Sequence, residues 1–193
     1  MAPPVALLSG DRGVGKSTLA LRLAHALQKD HGAESVAGVV TERSGSMRTA
    51  ILLPANDRMP LAADARGSEG RAAGFTGPAV GPFRFSRATI EAVNDLFTTT
   101  PPGLAATRHL WILDEVGPLE LRSREGFLPA FQALTGTTGA AALIVVRPEL
   151  LHEVRGALPA HACAVHHLRA ATRNLVYRAL RDFFTPWLNG NTD

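Results

Sequence analysis

Val5-Ala6-Leu7-Leu8-Ser9-Gly10-Asp11-Arg12-Gly13-Val14-Gly15-Lys16-Ser17-Thr18 is the stretch on which the fold turns. Gly10 to Ser17 satisfies the phosphate-binding pattern G-x-x-x-x-G-K-[ST] at every required position. In that pattern glycines let successive backbone N–H groups turn inward around phosphate oxygens. The lysine reaches the β- and γ-phosphates, and the hydroxyl of the last residue ligates Mg²⁺. The flanks agree with this reading. Val5-Ala6-Leu7-Leu8 is a short apolar run of the kind that forms a buried strand, and Leu19, Leu23, Ala24 and Leu27 recur at helical spacing. Strand, glycine-rich turn and helix would set the phosphates on a helix N-terminus, where unpaired N–H groups and the helix dipole favour anions. The spacing therefore predicts that Gly10, Asp11, Arg12, Gly13, Val14, Gly15, Lys16, Ser17 and Thr18 bind a nucleoside triphosphate.

The rest of the chain extends this unit. Val36 to Thr41 reads as a second strand, and Arg43 to Arg48 as a turn. Thr49 to Leu53 and Met59 to Ala62 read as two strands around a Pro54 to Asp57 turn, an antiparallel excursion from the main sheet. Asp64 to Pro82 is rich in Gly, Ala, Arg and Ser without apolar periodicity, and reads as a surface loop or a mobile flap at 64–82. Phe83 to Phe85 is a brief strand, and Ser86 is placed to cap a helix bearing Ile90, Val93, Leu96 and Phe97. Leu110 to Leu113 and Ala141 to Val146 read as buried strands, with helices over about 123–134 and 149–156. Cys163 to Val165 is a last short strand, and a final helix from about Ala170 to Leu188 presents Leu175, Val176, Leu180, Phe183 and Phe184. Strands that are continuously apolar and alternate with helices predict an α/β fold with a largely parallel sheet covered on both faces. Ligands of such sheets bind beyond the carboxyl ends of the strands.

The second chemical motif is Leu110-Trp111-Ile112-Leu113-Asp114-Glu115, four apolar residues that end in two carboxylates. Downstream of the glycine loop this is the Walker B pattern, in which Asp114 joins Ser17 in holding Mg²⁺. Glu115, directly after the metal aspartate, is placed to orient a water towards the γ-phosphorus. Hydrolysis is thereby favoured over phosphoryl transfer to an alcohol.

Composition narrows the function classes. The 193 residues suit one domain, residues 1–193, that buries a sizeable core. No apolar run approaches the roughly 20 residues that span a membrane, and Met1-Ala2-Pro3-Pro4 lacks a basic signal-peptide region. The single cysteine, Cys163, points to a reducing cytoplasm. The net charge of +3 comes from scattered arginines without basic blocks or interleaved aromatics, which argues against a nucleic-acid partner. The sequence leaves any protein partner unknown, and a monomer or weak homo-oligomer is expected.

Asp114-Glu115-Val116-Gly117-Pro118-Leu119-Glu120 resembles the D-E-[IV]-G-x-x-E signature of the small nucleoside-triphosphatases related to the cancer-related nucleoside-triphosphatase. Gly38 to Arg43, Arg58 to Ala62 and Gly81 to Phe85 are similar to further blocks of that family, in the same order. The resemblance implies a three-layer P-loop NTPase that slowly hydrolyses several nucleoside triphosphates with Mg²⁺. It implies that Gly10 to Thr18 hold phosphate, Asp114 supports the metal and Glu115 activates water. The family's Asn-Arg pair near the base corresponds here to Asn174, without the following arginine. Asp11-Arg12 stand where proline or small residues are usual.

An arginine that neutralises transition-state charge is expected in many such hydrolases. Arg147, just past a strand that ends near the phosphates, leads the candidates, followed by Arg43 and Arg12. Lys16, Glu115 and Arg147 are thus the expected catalytic set. Glu120 belongs either to the metal's surroundings or to the cap of the following turn. Thr41 and Glu42 either line the site or simply end their strand. Two other functions fit the same motifs: a small-molecule kinase using 64–82 as a lid, and a nucleotide-dependent switch or chaperone whose hydrolysis is incidental.

Overall fold

The structure, a computed structural model, describes residues 3–66, 74–99, 108–136, 141–158 and 163–190. Strands β1 (Val5–Ser9), β2 (Val36–Ser44), β7 (Leu110–Val116), β8 (Ala141–Val146) and β9 (Cys163–His167) form a parallel core. Four antiparallel strands extend it: β3 (Met47–Leu53), β4 (Asp57–Asp64), β5 (Ala79–Val80) and β6 (Phe83–Phe85). The order across the sheet is β5-β6-β4-β3-β2-β7-β8-β1-β9, so β8 lies between the strand that precedes the glycine loop and the strand that carries Asp114. This is the mixed α/β sheet with a mostly parallel core that the apolar runs predict.

Alternation along the strands divides the core into two layers. On one face Ala6 and Leu8 of β1, Ile112 of β7 and Leu143 of β8 pack against α1 (Lys16–His31) and α6 (Arg173–Leu188). On the other, Leu7, Leu113 and Ile144 pack against α2 (Arg87–Thr98), α4 (Leu128–Gly136) and α5 (Leu151–Ala157). β2 and β7 approach closely at Gly38, where φ is +117° and an added Cβ would lie 2.1 Å from the Ile112 carbonyl oxygen. No helix among the described residues is long and apolar enough to cross a membrane.

Ser86 caps α2 by accepting from the Thr89 amide at 3.2 Å, as its position predicts. Several boundaries differ from expectation. Arg43 and Arg48 are not turn residues; β2 and β3 continue through them, and the turn narrows to Gly45-Ser46. The helix expected from Ser123 begins at Leu128, after a short α3 (Pro118–Leu121). The intervening backbone is irregular, with Arg124 at φ 57°, and is pinned by the buried Glu120 carboxylate, which accepts from the Phe127 amide at 3.0 Å. The helices expected at about 149 and 170 each open with a 3₁₀ turn and become α-helical at Leu151 and Arg173. Leu175, expected on the apolar face of α6, is 69% exposed. Trp187 is buried within the chain, with the Arg108 guanidinium 4.9 Å above its ring. Of the 64–82 stretch, residues 67–73 lie outside the described residues; its later part forms β5 and the turn into β6.

Candidate nucleotide site

The carboxyl ends of β1, β2, β7 and β8 lie along one edge of the sheet, as parallel pairing requires, and a cavity of about 430 Å³ opens there. Its walls include Gly13, Gly15, Lys16, Ser17 and Thr18 from the loop and first turn of α1, and Thr41 from β2. Asp114 and Glu115 come from β7, and Arg147 from the end of β8. Arg12, Arg43 and Arg48 complete a cationic lining. Gly15 occupies the N-cap of α1 with φ 97°, a left-handed conformation that costs a residue with a Cβ. It has no side chain to cap the helix, which leaves the first N–H groups to an anion.

Lys16 is folded back on its own loop, donating to the carbonyl oxygens of Gly10 at 2.6 Å and Asp11 at 2.9 Å. Burial lowers its pKa, with the Arg147 charge acting in the same sense; Asp114, Glu115 and Asp11 oppose both. Asp114 is fully buried. Its Oδ2 accepts from the Thr41 amide and the Thr41 hydroxyl, each at 2.9 Å. Burial, and then the neighbouring Glu115 charge, push its pKa up to about 6, while the Ser17 hydroxyl and Thr41 favour the ionised form. Oδ1 has no hydrogen-bond partner.

That orphaned oxygen beside a serine hydroxyl fits a hard divalent cation. Among the described residues no group of three His, Cys, Asp or Glu side chains could hold a metal by itself. Mg²⁺ in phosphate sites is held by one or two protein oxygens, substrate phosphates and waters, and Ser17 with Asp114 supplies such a pair.

Glu115 lies in a β-bulge: the β7–β8 register shifts between Leu113 and Val116, and Glu115 takes a left-handed φ of 68°. Its carboxylate is part-exposed in the cavity and ion-paired to Arg48 Nη1. Arg48, expected in a turn, lies in the cavity wall instead; Gly45-Ser46, a pair suited to a two-residue hairpin loop, was the available signal in the sequence. Thr41 proves to line the site, and Glu42, also in the wall, pairs with Arg58 at 2.6 Å.

Other expected residues stand apart. Asn174 is exposed on α6, outside the cavity lining, and accepts from Arg22 Nη1 at 3.3 Å. Its neighbour Arg173 reaches the loop instead, donating from Nε to the Val14 carbonyl at 3.1 Å. Gly10, Asp11 and Val14 shape the loop without lining the cavity. Glu120 caps the turn: its Oε2 accepts from the Gly117 amide at 2.8 Å and its Oε1 from Phe127, and burial pushes its pKa up.

A glycine loop, an aspartate-bearing strand and an intervening β8 define a P-loop NTPase. The chain belongs to the NTPase family, whose profile matches residues 5–180. No curated protein matches it. Among solved structures it is similar to THEP1 from the hyperthermophile Aquifex aeolicus (TM-score 0.67, 17% identity, 91% of this chain and 96% of that one). It is also similar to a human cancer-related nucleoside triphosphatase (TM-score 0.65, 21% identity, 92% and 95%). These likenesses establish the fold.

Proposed function

We propose that this chain is a slow Mg²⁺-dependent nucleoside-triphosphatase of broad base specificity that releases nucleoside diphosphate and phosphate. The observation that carries this reading is one cavity lined by Lys16, Ser17, Asp114 and Glu115 under a cationic rim. Membership in the NTPase family supports the activity in general.

The loop amides and Lys16 hold the phosphate chain, and Lys16 exchanges its carbonyl partners for phosphate oxygens. Ser17 and Asp114 would hold Mg²⁺, which would supply charge neutralisation to the β- and γ-phosphates. Glu115 orients a water in line with the bond to be broken. As the water oxygen bonds to the γ-phosphorus, the bond to the β–γ bridging oxygen breaks. Its electron pair leaves with the diphosphate, and the water's protons end on inorganic phosphate and solvent. Arg147, with Arg12 and Arg43, is placed to offset the charge that develops. The wall holds phosphate-directed groups, and Asn174 lies outside it, which suits breadth towards the base.

Phosphate release from ATP, GTP, CTP and UTP tests the proposal. Glu115→Gln should lower kcat by about a hundredfold or more while nucleotide still binds, and Lys16→Ala should weaken binding as well. Nucleotide binding with Glu115-independent release would overturn the role of Glu115. Release dependent on an added alcohol or base acceptor would move the reading to a kinase.

A further inference from the structure

The antiparallel strands have no part in the mechanism above, yet one of them holds Glu115. Arg48, the second residue of β3, is 8% exposed and packs its guanidinium 4.6 Å from the centre of the Phe83 ring of β6. Phe83 is itself buried. From that seat Nη1 donates to Glu115 Oε2. Backbone irregularities lie beside both partners. The β3–β4 register shifts between Arg48 and Thr49, and the β7–β8 register shifts between Leu113 and Val116. Bulges redirect side chains beside active sites; here the one on β7 carries Glu115, and the one on β4, at Leu61, faces Arg48.

The pairing also answers a charge problem. Arg48 lies directly across from Arg43 in the β2–β3 ladder, an arrangement of like charges that is destabilising by itself. Glu115 supplies the opposite charge to Arg48, while Arg43 is exposed and donates to the Gly45 carbonyl. A glutamate on a flexible stem has many rotamers, and orienting a water demands one of them. A buried arginine, stacked on an aromatic face, removes that freedom.

We infer that Arg48, seated on Phe83, is the positioning residue of Glu115, so that the antiparallel extension forms part of the hydrolytic apparatus. The inference rests on the proposed role of Glu115 in hydrolysis. It is tested by kcat, KM and equilibrium Mg–ATP binding for Arg48→Met, Arg48→Lys, Glu115→Gln and the double variant Arg48→Met/Glu115→Gln. Arg48→Met should lower kcat about tenfold to a hundredfold with KM and Kd held within about threefold, and Arg48→Lys should recover part of the loss. The double variant should be no slower than Glu115→Gln alone, because an aid to Glu115 has nothing to aid once the carboxylate is gone. An equal fractional loss in both backgrounds would show that Arg48 acts on phosphate directly and would overturn the inference, as would a loss confined to KM. If Glu115→Gln turns over like the wild type, the role of Glu115 fails and this inference with it. If Glu115→Gln is inactive while Arg48→Met is fully active, only the inference fails. Should Arg48→Met not fold, Phe83→Leu keeps both charges and carries the same test, with the same non-additivity against Glu115→Gln expected.

Discussion

At the scale of single residues, Asp114, the metal ligand of the proposed mechanism, shows what burying a carboxylate costs. A carboxylate without solvent, beside a second carboxylate, resists ionisation, and its pKa stands at about 6 instead of 3.8. The folded chain therefore binds this proton more tightly than the unfolded chain. The contribution to stability is full below pH 3.8 and is lost as pH rises to about 6. Asp114→Asn removes the titration while keeping an oxygen for Thr41. In metal-free buffer the variant should be more stable than the wild type at pH 7.5 by on the order of 2 kcal/mol. That advantage should shrink as pH falls towards 4. Thermal melts across this range check it; superimposed curves would show that Asp114 is not strained when ionised. At this scale the motif residues were legible from spacing. The partners were not: nothing near Asp114 in the chain announces Thr41, 73 residues away.

At the scale of elements, the loop–helix unit and the buried strands followed from periodicity, because apolar repeat and glycine placement act within a few residues. Boundaries failed where a contact beyond the nearest neighbours overrode propensity. The helix expected at Ser123 starts late because Glu120 fastens the Phe127 amide and holds the preceding turn out of helical geometry. Arg48 is expected in a turn because Ser44-Gly45-Ser46 shortly precede it, whereas seven ladder pairs between β2 and β3 carry the strands through. The seam between β2 and β7 supplies a prediction at this scale. Gly38→Ala sets a Cβ against the Ile112 carbonyl, at a φ that L residues avoid. Neither strand can retreat, since β7 also pairs with β8 and β2 with β3. The variant should lose about 3 kcal/mol, or roughly 6–12 °C in Tm. A Tm within about 2 °C of the wild type would mean that the seam is looser than this geometry requires.

At the scale of the molecule, the site sits where the parallel core meets the antiparallel extension and draws side chains from both. Binding there should tie the two parts together. Mg–ATP at about a hundred times its Kd should stabilise the protein by about 2.7 kcal/mol, roughly 5–10 °C in Tm. Chelating the metal should remove most of that gain if Ser17 and Asp114 hold it. Differential scanning fluorimetry with and without EDTA decides the matter. A gain indifferent to chelation would take the metal out of the site, and no gain at all would take nucleotide out of it.

The sequence by itself determined the nucleotide-binding class. Gly10 to Ser17 between an apolar strand and an amphipathic helix, and Asp114-Glu115 closing another strand, are contiguous patterns whose chemistry depends on neighbours along the chain. Tertiary structure alone decided which cations meet which anions in the cavity. Arg48 and Glu115 are 67 residues apart and are joined by strand order, ladder register and two bulges. Register is a property of paired strands, set by burial on both faces at once, so no local window of sequence carries it.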